Sequence, residues 1–210
     1  MPSSITSDII KPPAPPIGGG FGGGGGPDGR GSSRRASMTG LMVLLAATTM
    51  AFAAFTSAFV VRRGMSNDWV AFPMPRIVWL NSGVLILSSI LLEFARRALK
   101  SGHRDAFNRY WTAATLMGCA FLFGQALAWR SLQASGIFVA SNPSSSFFYL
   151  LTAAHGLHII GGLSALAYVD VQALRLRLGP GKRTAVDVSA LFWHFVDVIW
   201  IVLFFLLYIW

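Results

Sequence analysis

Of 210 residues, 54% are hydrophobic and only 12% are charged, and the mean hydropathy is +0.58. Ordinary soluble domains carry about 25% charged residues, so this composition excludes a soluble globular chain and points to an integral membrane protein. The net charge of +9 does not point to nucleic acid, because the basic residues sit between apolar stretches rather than on one face of a folded domain.

The chain opens on a stretch unlike the rest. "KPPAPPIGGGFGGGGGPDGRGSS" combines a proline patch with a glycine run and has few apolar side chains to offset the entropy of ordering. Residues 1–37 are therefore expected to be a disordered, Pro/Gly-rich cytoplasmic tail. A phosphate-cradling glycine loop would need a strand before it and a helix after it, and a secretory signal would need a short apolar region after a basic start. Neither pattern is present.

Five apolar segments follow, at about 39–61, 76–98, 110–130, 147–174 and 185–210. Each is near the roughly 20 residues that span a bilayer as helix, and backbone groups in lipid must be satisfied internally. The fold class expected is all-α, a polytopic membrane bundle of five transmembrane helices over residues 38–210. The fourth helix is expected to run past the membrane through Arg175 and Arg177 as far as Gly179-Pro180. Cys119, the single cysteine, lies in the third segment and reads as a small buried residue. One cysteine excludes an intrachain disulfide, a thiolate-rich metal site and a covalent haem motif.

Charge sets the orientation. With the N-terminus inside, 13 of the 17 Lys and Arg fall on the inner side, among them Arg96, Arg97, Lys100, Arg104, Arg109, Arg175 and Arg183. Only Arg62, Arg63, Arg76 and Arg130 fall outside. This positive-inside excess predicts a cytoplasmic N-terminus and a C-terminus on the outer face.

Ionisable groups inside the spans are the candidates for function. Glu93 and Asp170 lie near inner ends beside Arg96, Arg97 and Arg175, where local ion pairing explains them. Asp197 is different, since it sits deep in the last span, where an ionisable group costs at least ~2.5 kcal/mol unless partnered. In "FWHFVDVIW", His194 precedes it by three residues and shares its helix face, with Trp193 and Trp200 on either side. In "HGLHIIGG", His155, His158 and Gly162 share a face of the fourth helix, where glycine allows another helix to come close. His155, His158 and His194 could hold a metal, or one histidine from each helix could hold haem. Asp197 with His194 could relay protons. Alternatively, these groups fix how helices dock. Few histidines and one acid leave a redox centre without supporting groups, which favours docking.

"SSFFYLLTAAHGLHIIGG" followed by "FWHFVDVIWIVLFFLLYIW" closely resembles the last two helices of subunit III of haem–copper terminal oxidases. "WLNSGVLILSS" and "FGQALAW" resemble two earlier segments of that family, so the similarity spans about 40–210. It implies an accessory, non-redox subunit of a bacterial respiratory cytochrome c oxidase in the plasma membrane, in which other subunits reduce dioxygen and pump protons. It also implies no catalytic, metal or cofactor site in this chain, with haem and copper in partner subunits, bound phospholipid, packing against the catalytic subunit I and support for proton uptake. His155, His158, Gly162, Trp193, His194, Asp197 and Trp200 become candidates for helix packing, assembly or lipid contact. Longer members have seven helices, and this chain matches the last five. Where members often carry a glutamate in the first of these five, this chain has Thr48 and Thr49. Where another follows the glutamine-alanine pair, it has Leu127-Ala128-Trp129. These departures favour packing and lipid organisation over carboxylate proton chemistry.

A quinol oxidase subunit, or one associated with nitric oxide reductase, is the nearby alternative. A stand-alone proton-coupled transporter using Asp197 and His194 is the alternative of another class, for which inverted repeats would be expected. A topology reporter fused after Trp210 is expected to read as external; a cytoplasmic signal would overturn the orientation.

Overall fold

The computed structural model describes residues 28–65, 76–175 and 183–209. They form five helices: α1 Asp28–Met65, α2 Arg76–Lys100, α3 Arg104–Ala134, α4 Pro143–Leu174 and α5 Arg183–Ile209. All five are long and apolar enough to cross a membrane, as the hydropathy pattern predicts. At 1.5 Å per residue, the 25 residues of α2 already reach about 37 Å. That exceeds a hydrocarbon core of about 30 Å and leaves the helix ends in the headgroup layer.

Two boundaries differ from the expectation. α1 begins at Asp28, inside the segment assigned to the tail, while residues 1–27 lie outside the described residues. α4 closes at Leu174 instead of running on, with the Arg175 N–H on the carbonyls of Val171 and Ala173. The Gly179-Pro180 stop, Arg177 and Trp210 lie outside the described residues.

The connections carry their own stop signals. At the end of α2, Gly102 takes φ +79° and His103 N–H reaches back to Ala98 O at 3.0 Å. At the end of α3, Gly136 takes φ +78° and Ile137 N–H reaches Leu132 O at 3.0 Å. Both close a helix through a left-handed glycine that satisfies orphan carbonyls. α4 then starts on a capping box: Asn142 Oδ1 accepts from Ser145 N–H at 2.9 Å, and Ser145 Oγ accepts from Asn142 N–H at 3.3 Å. Pro143 occupies the first turn, where its missing N–H costs nothing.

α2 to α5 form an alternating bundle. α2 and α3 make its most extensive pair, α2 also packs on α5, and α4 packs on both α3 and α5. α1 lies against α4 and α5 through Phe52 and Phe59, which meet Leu151 and Leu203. Most of the rest of α1 is exposed and apolar, including Met42, Val43, Leu44, Met50 and Val61.

The outer surface is apolar, unlike that of a soluble protein, and several polar side chains lie inside an otherwise apolar core. Large apolar side chains such as Leu80, Leu116, Phe123, Leu157, Val202 and Ile209 face outward. Asn81, Ser88, Gln125, Thr152, His155, Ser189 and Asp197 are buried. Lipid tails are as apolar as leucine, so helices gain nothing by hiding apolar surface from lipid and associate through close packing and polar bonds instead. Cys119 follows this rule against expectation. It is exposed on the outside of α3, because a weakly polar thiol tolerates lipid and the inner face of that turn belongs to Gly118.

Glycine sets the closest approach. Trp193 of α5 is fully buried and lies over Gly118 of α3 and Gly162 of α4. A Cβ at Gly118 would stand 2.6 Å from Trp193 Cη2, and one at Gly162 would stand 3.1 Å from Trp193 Cε3. Gly118→Ala is expected to destabilise the bundle by about 1–3 kcal/mol through overpacking. At Gly83, where a Cβ meets nothing, Ala is expected to be neutral or to stabilise by up to about 1 kcal/mol. Thermal unfolding of the two variants in detergent checks the difference.

Candidate functional site: a buried polar seam between helices

α2 presents two adjacent polar columns, each repeating every seven residues. Asn81 and Ser88 turn toward α3: Asn81 Nδ2 donates to Phe121 O at 3.0 Å, and Ser88 Oγ donates to Ala114 O at 2.9 Å. Ser82, Ser89 and Arg96 turn toward α5. Trp200 Nε1 donates to Ser82 Oγ at 2.9 Å, Ser89 meets His194 and Asp197, and Arg96 reaches Asp187 at 3.5 Å. A seven-residue period keeps a column on one side of a helix. Neighbouring residues point about 100° apart, so two columns serve two partner helices.

Ser89 is the centre of this seam. Its hydroxyl donates to Asp197 Oδ2 and lies 2.9 Å from His194 Nδ1. A serine has one proton to give, so with that proton on Asp197 the His194 contact requires Nδ1–H to donate to Ser89 Oγ. The expectation that His194 and Asp197 share a face is met, and the group that joins them comes from another helix. Asp197 is 6% exposed, and its Oδ1 has no hydrogen-bond partner among the described residues.

His155 and His158 share a helix but not a setting. His155 is fully buried with its ring 4.9 Å from Trp200, 5.9 Å from Phe121 and 6.4 Å from Phe52. His158 is partly exposed, donates Nδ1–H to Ala154 O of its own helix at 2.8 Å, and meets Phe52 at 5.3 Å. Gly162 is buried beneath Trp193 and Phe192. The structure thus joins His194, Asp197 and Trp200 to α2, and His155, Gly162 and Trp193 to the bundle interior. Among the described residues, no three His, Cys, Asp or Glu side chains gather as a group that could hold a metal. That separates the three histidines considered above as one ligand set.

The two acids near the ends of α2 and α4 diverge. Glu93 pairs with Arg96 at 3.0 Å and Arg97 at 3.4 Å, as expected. Asp170 instead accepts from Thr112 of α3 at 2.6 Å, a bond that ties α4 to α3. Further bonds join the same two helices: Trp111 Nε1 donates to Leu166 O at 3.0 Å, and Trp129 Nε1 donates to Thr152 Oγ1 at 3.1 Å.

Attention to ionisable side chains passes over the α2 residues that complete the site. Their signal was present as Asn81-Ser82 and Ser88-Ser89, two polar pairs seven residues apart in an apolar helix.

Comparison with known proteins agrees with this architecture. Residues 38–210 match the family model described as cytochrome c oxidase subunit III. The chain is 34% identical over 175 residues to a protein of Mycobacterium tuberculosis named probable cytochrome c oxidase subunit 3, covering 80% of this chain and 85% of that one. It is 33% identical over 181 residues to cytochrome c oxidase subunit 3 of Thermostichus vulcanus, covering 81% and 85%. Against cytochrome c oxidase subunit 3 of Synechocystis it is 31% identical over 179 residues, covering 82% and 75%.

Ser89→Ala should remove the one group that bonds both His194 and Asp197, leaving the buried carboxyl without a partner. A loss of about 1–3 kcal/mol is expected for an orphaned buried polar group. Ser164→Ala, which removes an exposed bond to Ile160 O in the same helix, should change stability by less than about 0.5 kcal/mol. Side-by-side melting curves decide.

Proposed function

The chain belongs to the cytochrome c oxidase subunit III family, and from that premise we propose that it is the accessory, non-redox subunit of a bacterial terminal oxidase, supporting the catalytic subunit by packing and lipid binding. As a subunit III it is a component of a multisubunit haem–copper oxidase, a respiratory, proton-translocating complex. It is a multi-pass membrane protein with five spanning-length helices.

One observation carries the accessory reading. His194, Asp197, Trp200 and Asp170, polar side chains that a catalytic subunit could turn toward a reacting centre, are here engaged between helices. Ser89 holds His194 and Asp197, Ser82 holds Trp200, and Thr112 holds Asp170. Haem and copper belong to the partner subunits in this reading, as does the reduction of dioxygen. This chain supplies a rigid apolar surface.

The surface suits two kinds of neighbour. Leu116, Phe123, Leu157 and Val202 are exposed and apolar, and shape rather than hydrophobicity selects a partner for them in lipid. The largely uncovered α1 offers apolar length to acyl chains or to subunit I. The basic residues Arg96, Arg97, Lys100, Arg104, Arg109 and Arg183 gather at the end of the bundle where α2 finishes and α3 and α5 begin. That end is assigned to the cytoplasmic face of the plasma membrane, where anionic headgroups complement it.

A proton-linked contribution is the second reading, and one observation favours it. The Ser89 hydroxyl links His194 Nδ1 to Asp197 Oδ2 as a continuous hydrogen-bond chain. Hydroxyl-bridged acid and base groups within a membrane can pass a proton by exchanging donor and acceptor roles.

Purification of the tagged chain in mild detergent is expected to bring down a haem-containing large subunit. Isolation of the chain alone, with no haem absorbance, would overturn the accessory reading. Asp197→Asn should weaken retention of the chain in the complex or shorten its active lifetime during turnover. Unchanged retention and lifetime would remove Asp197 from any supporting role.

A further inference from the structure

Three side chains in the bundle interior have no protein partner for any of their polar atoms among the described residues: Trp193, which has only its indole N–H, and His155 and Gln125, which each have two such atoms. His155 of α4 is 0% exposed, and neither Nδ1 nor Nε2 is bonded. Gln125 of α3 is 4% exposed, and neither Oε1 nor Nε2 is bonded. The register of α3 against α4 puts them at one level. Phe121, one turn before Gln125, has its ring 5.9 Å from that of His155. Trp129, one turn after Gln125, donates to Thr152, which lies one turn before His155. Gln125 therefore leaves α3 between the contact at His155 and the contact at Thr152, one turn away on α4.

Nearby protein groups are already committed. Thr152 Oγ1 accepts from Trp129 and donates to Phe148 O at 2.6 Å. Asn81 Nδ2 gives one of its two protons to Phe121 O. The other close neighbours of the imidazole are the rings of Trp200, Phe121 and Phe52, whose one polar atom, Trp200 Nε1, is given to Ser82. Swinging the Gln125 amide directly onto His155 would satisfy one atom on each side. It would leave one imidazole nitrogen and one amide atom bare. Lipid supplies no hydrogen bonds, and buried polar groups in native proteins are almost always satisfied by protein or ordered water.

We propose that the bundle interior at the level of His155 and Gln125 is a water-binding site, holding one water that bridges the imidazole to the amide across α3 and α4 and a further water at the other imidazole nitrogen. The chemistry required is a small molecule that donates and accepts in the same place. A neutral imidazole offers one of each, a primary amide offers both, and a buried water makes about three such bonds. The site is independent of the accessory-subunit reading, since it concerns only how α3 and α4 are held together.

The test uses the intact, purified oxidase complex. A density map at water-resolving resolution is expected to show a non-protein peak within hydrogen-bonding distance of both a His155 ring nitrogen and the Gln125 amide. Direct contact between the two side chains, or no peak beside either, overturns the proposal. The wild-type map decides this even where a variant fails to assemble. His155→Phe, Gln125→Leu and the double variant give a second reading. If water bridges the pair, each single change strands the survivor and lowers the melting temperature by roughly 2–4 °C. The double change then recovers part of the loss, a non-additive result. If the atoms sit dry and unbonded, each single change raises the melting temperature and the effects add, which overturns the proposal.

Discussion

The bond between Ser89 and its two partners on α5 is the interaction on which the described bundle turns. In water, α2 and α5 would be driven together by the apolar surface they cover. In lipid that force is absent, so what selects one rotation and register from many is the match of donors to acceptors. Moving α2 by one residue would swing Ser82, Ser89 and Arg96 about 100° away from Trp200, His194, Asp197 and Asp187. It would also bring Asn81 and Ser88 off the carbonyls of Phe121 and Ala114. Two helix–helix interfaces are thus specified by two columns of short polar side chains on one helix.

Packing then amplifies that choice. The α5 face that carries Asp197 also carries Trp193 and Trp200, both buried. Trp193 fits only because Gly118 and Gly162 have no side chain beneath it. Trp200 is held at its indole N–H by Ser82 and has its ring beside His155 and Phe121. The polar seam and the aromatic interior are one structure. The seam sets the height and rotation of α5, and the rings fill the space that results. The accessory function proposed for the chain needs a rigid surface of this kind more than it needs reactive chemistry.

The candidate site was partly legible. His194 and Asp197 stood out because ionisable groups deep in an apolar span demand an explanation, and their spacing placed them on one face. Gly162 and Trp193 were visible as a small residue and a large one in the right helices, although nothing in the chain order says that one lies over the other. Ser89 and Ser82 were easy to miss because a hydroxyl in a membrane helix can be satisfied by its own backbone, as Ser164 is by Ile160 O. His155 and His158 looked equivalent by spacing. They differ because one points into the interior among three rings while the other donates to the Ala154 carbonyl one turn back in its own helix. Cys119 read as buried on the assumption that a small, nearly apolar residue packs inside, which lipid does not require.

By itself the sequence determined the membrane setting, the number of helices, the direction of charge bias across them and the residues whose burial would need partners. Each of these follows from composition, length and local order, since a helix in lipid must satisfy its own backbone and a charge must end near water. Only the tertiary structure decided which partner each buried group meets. Ser89 to Asp197, Thr112 to Asp170 and Trp193 over Gly118 join residues 108, 58 and 75 positions apart. Such pairings depend on how helices rotate and slide against one another, a choice made by the whole set of donors, acceptors and ring shapes acting together.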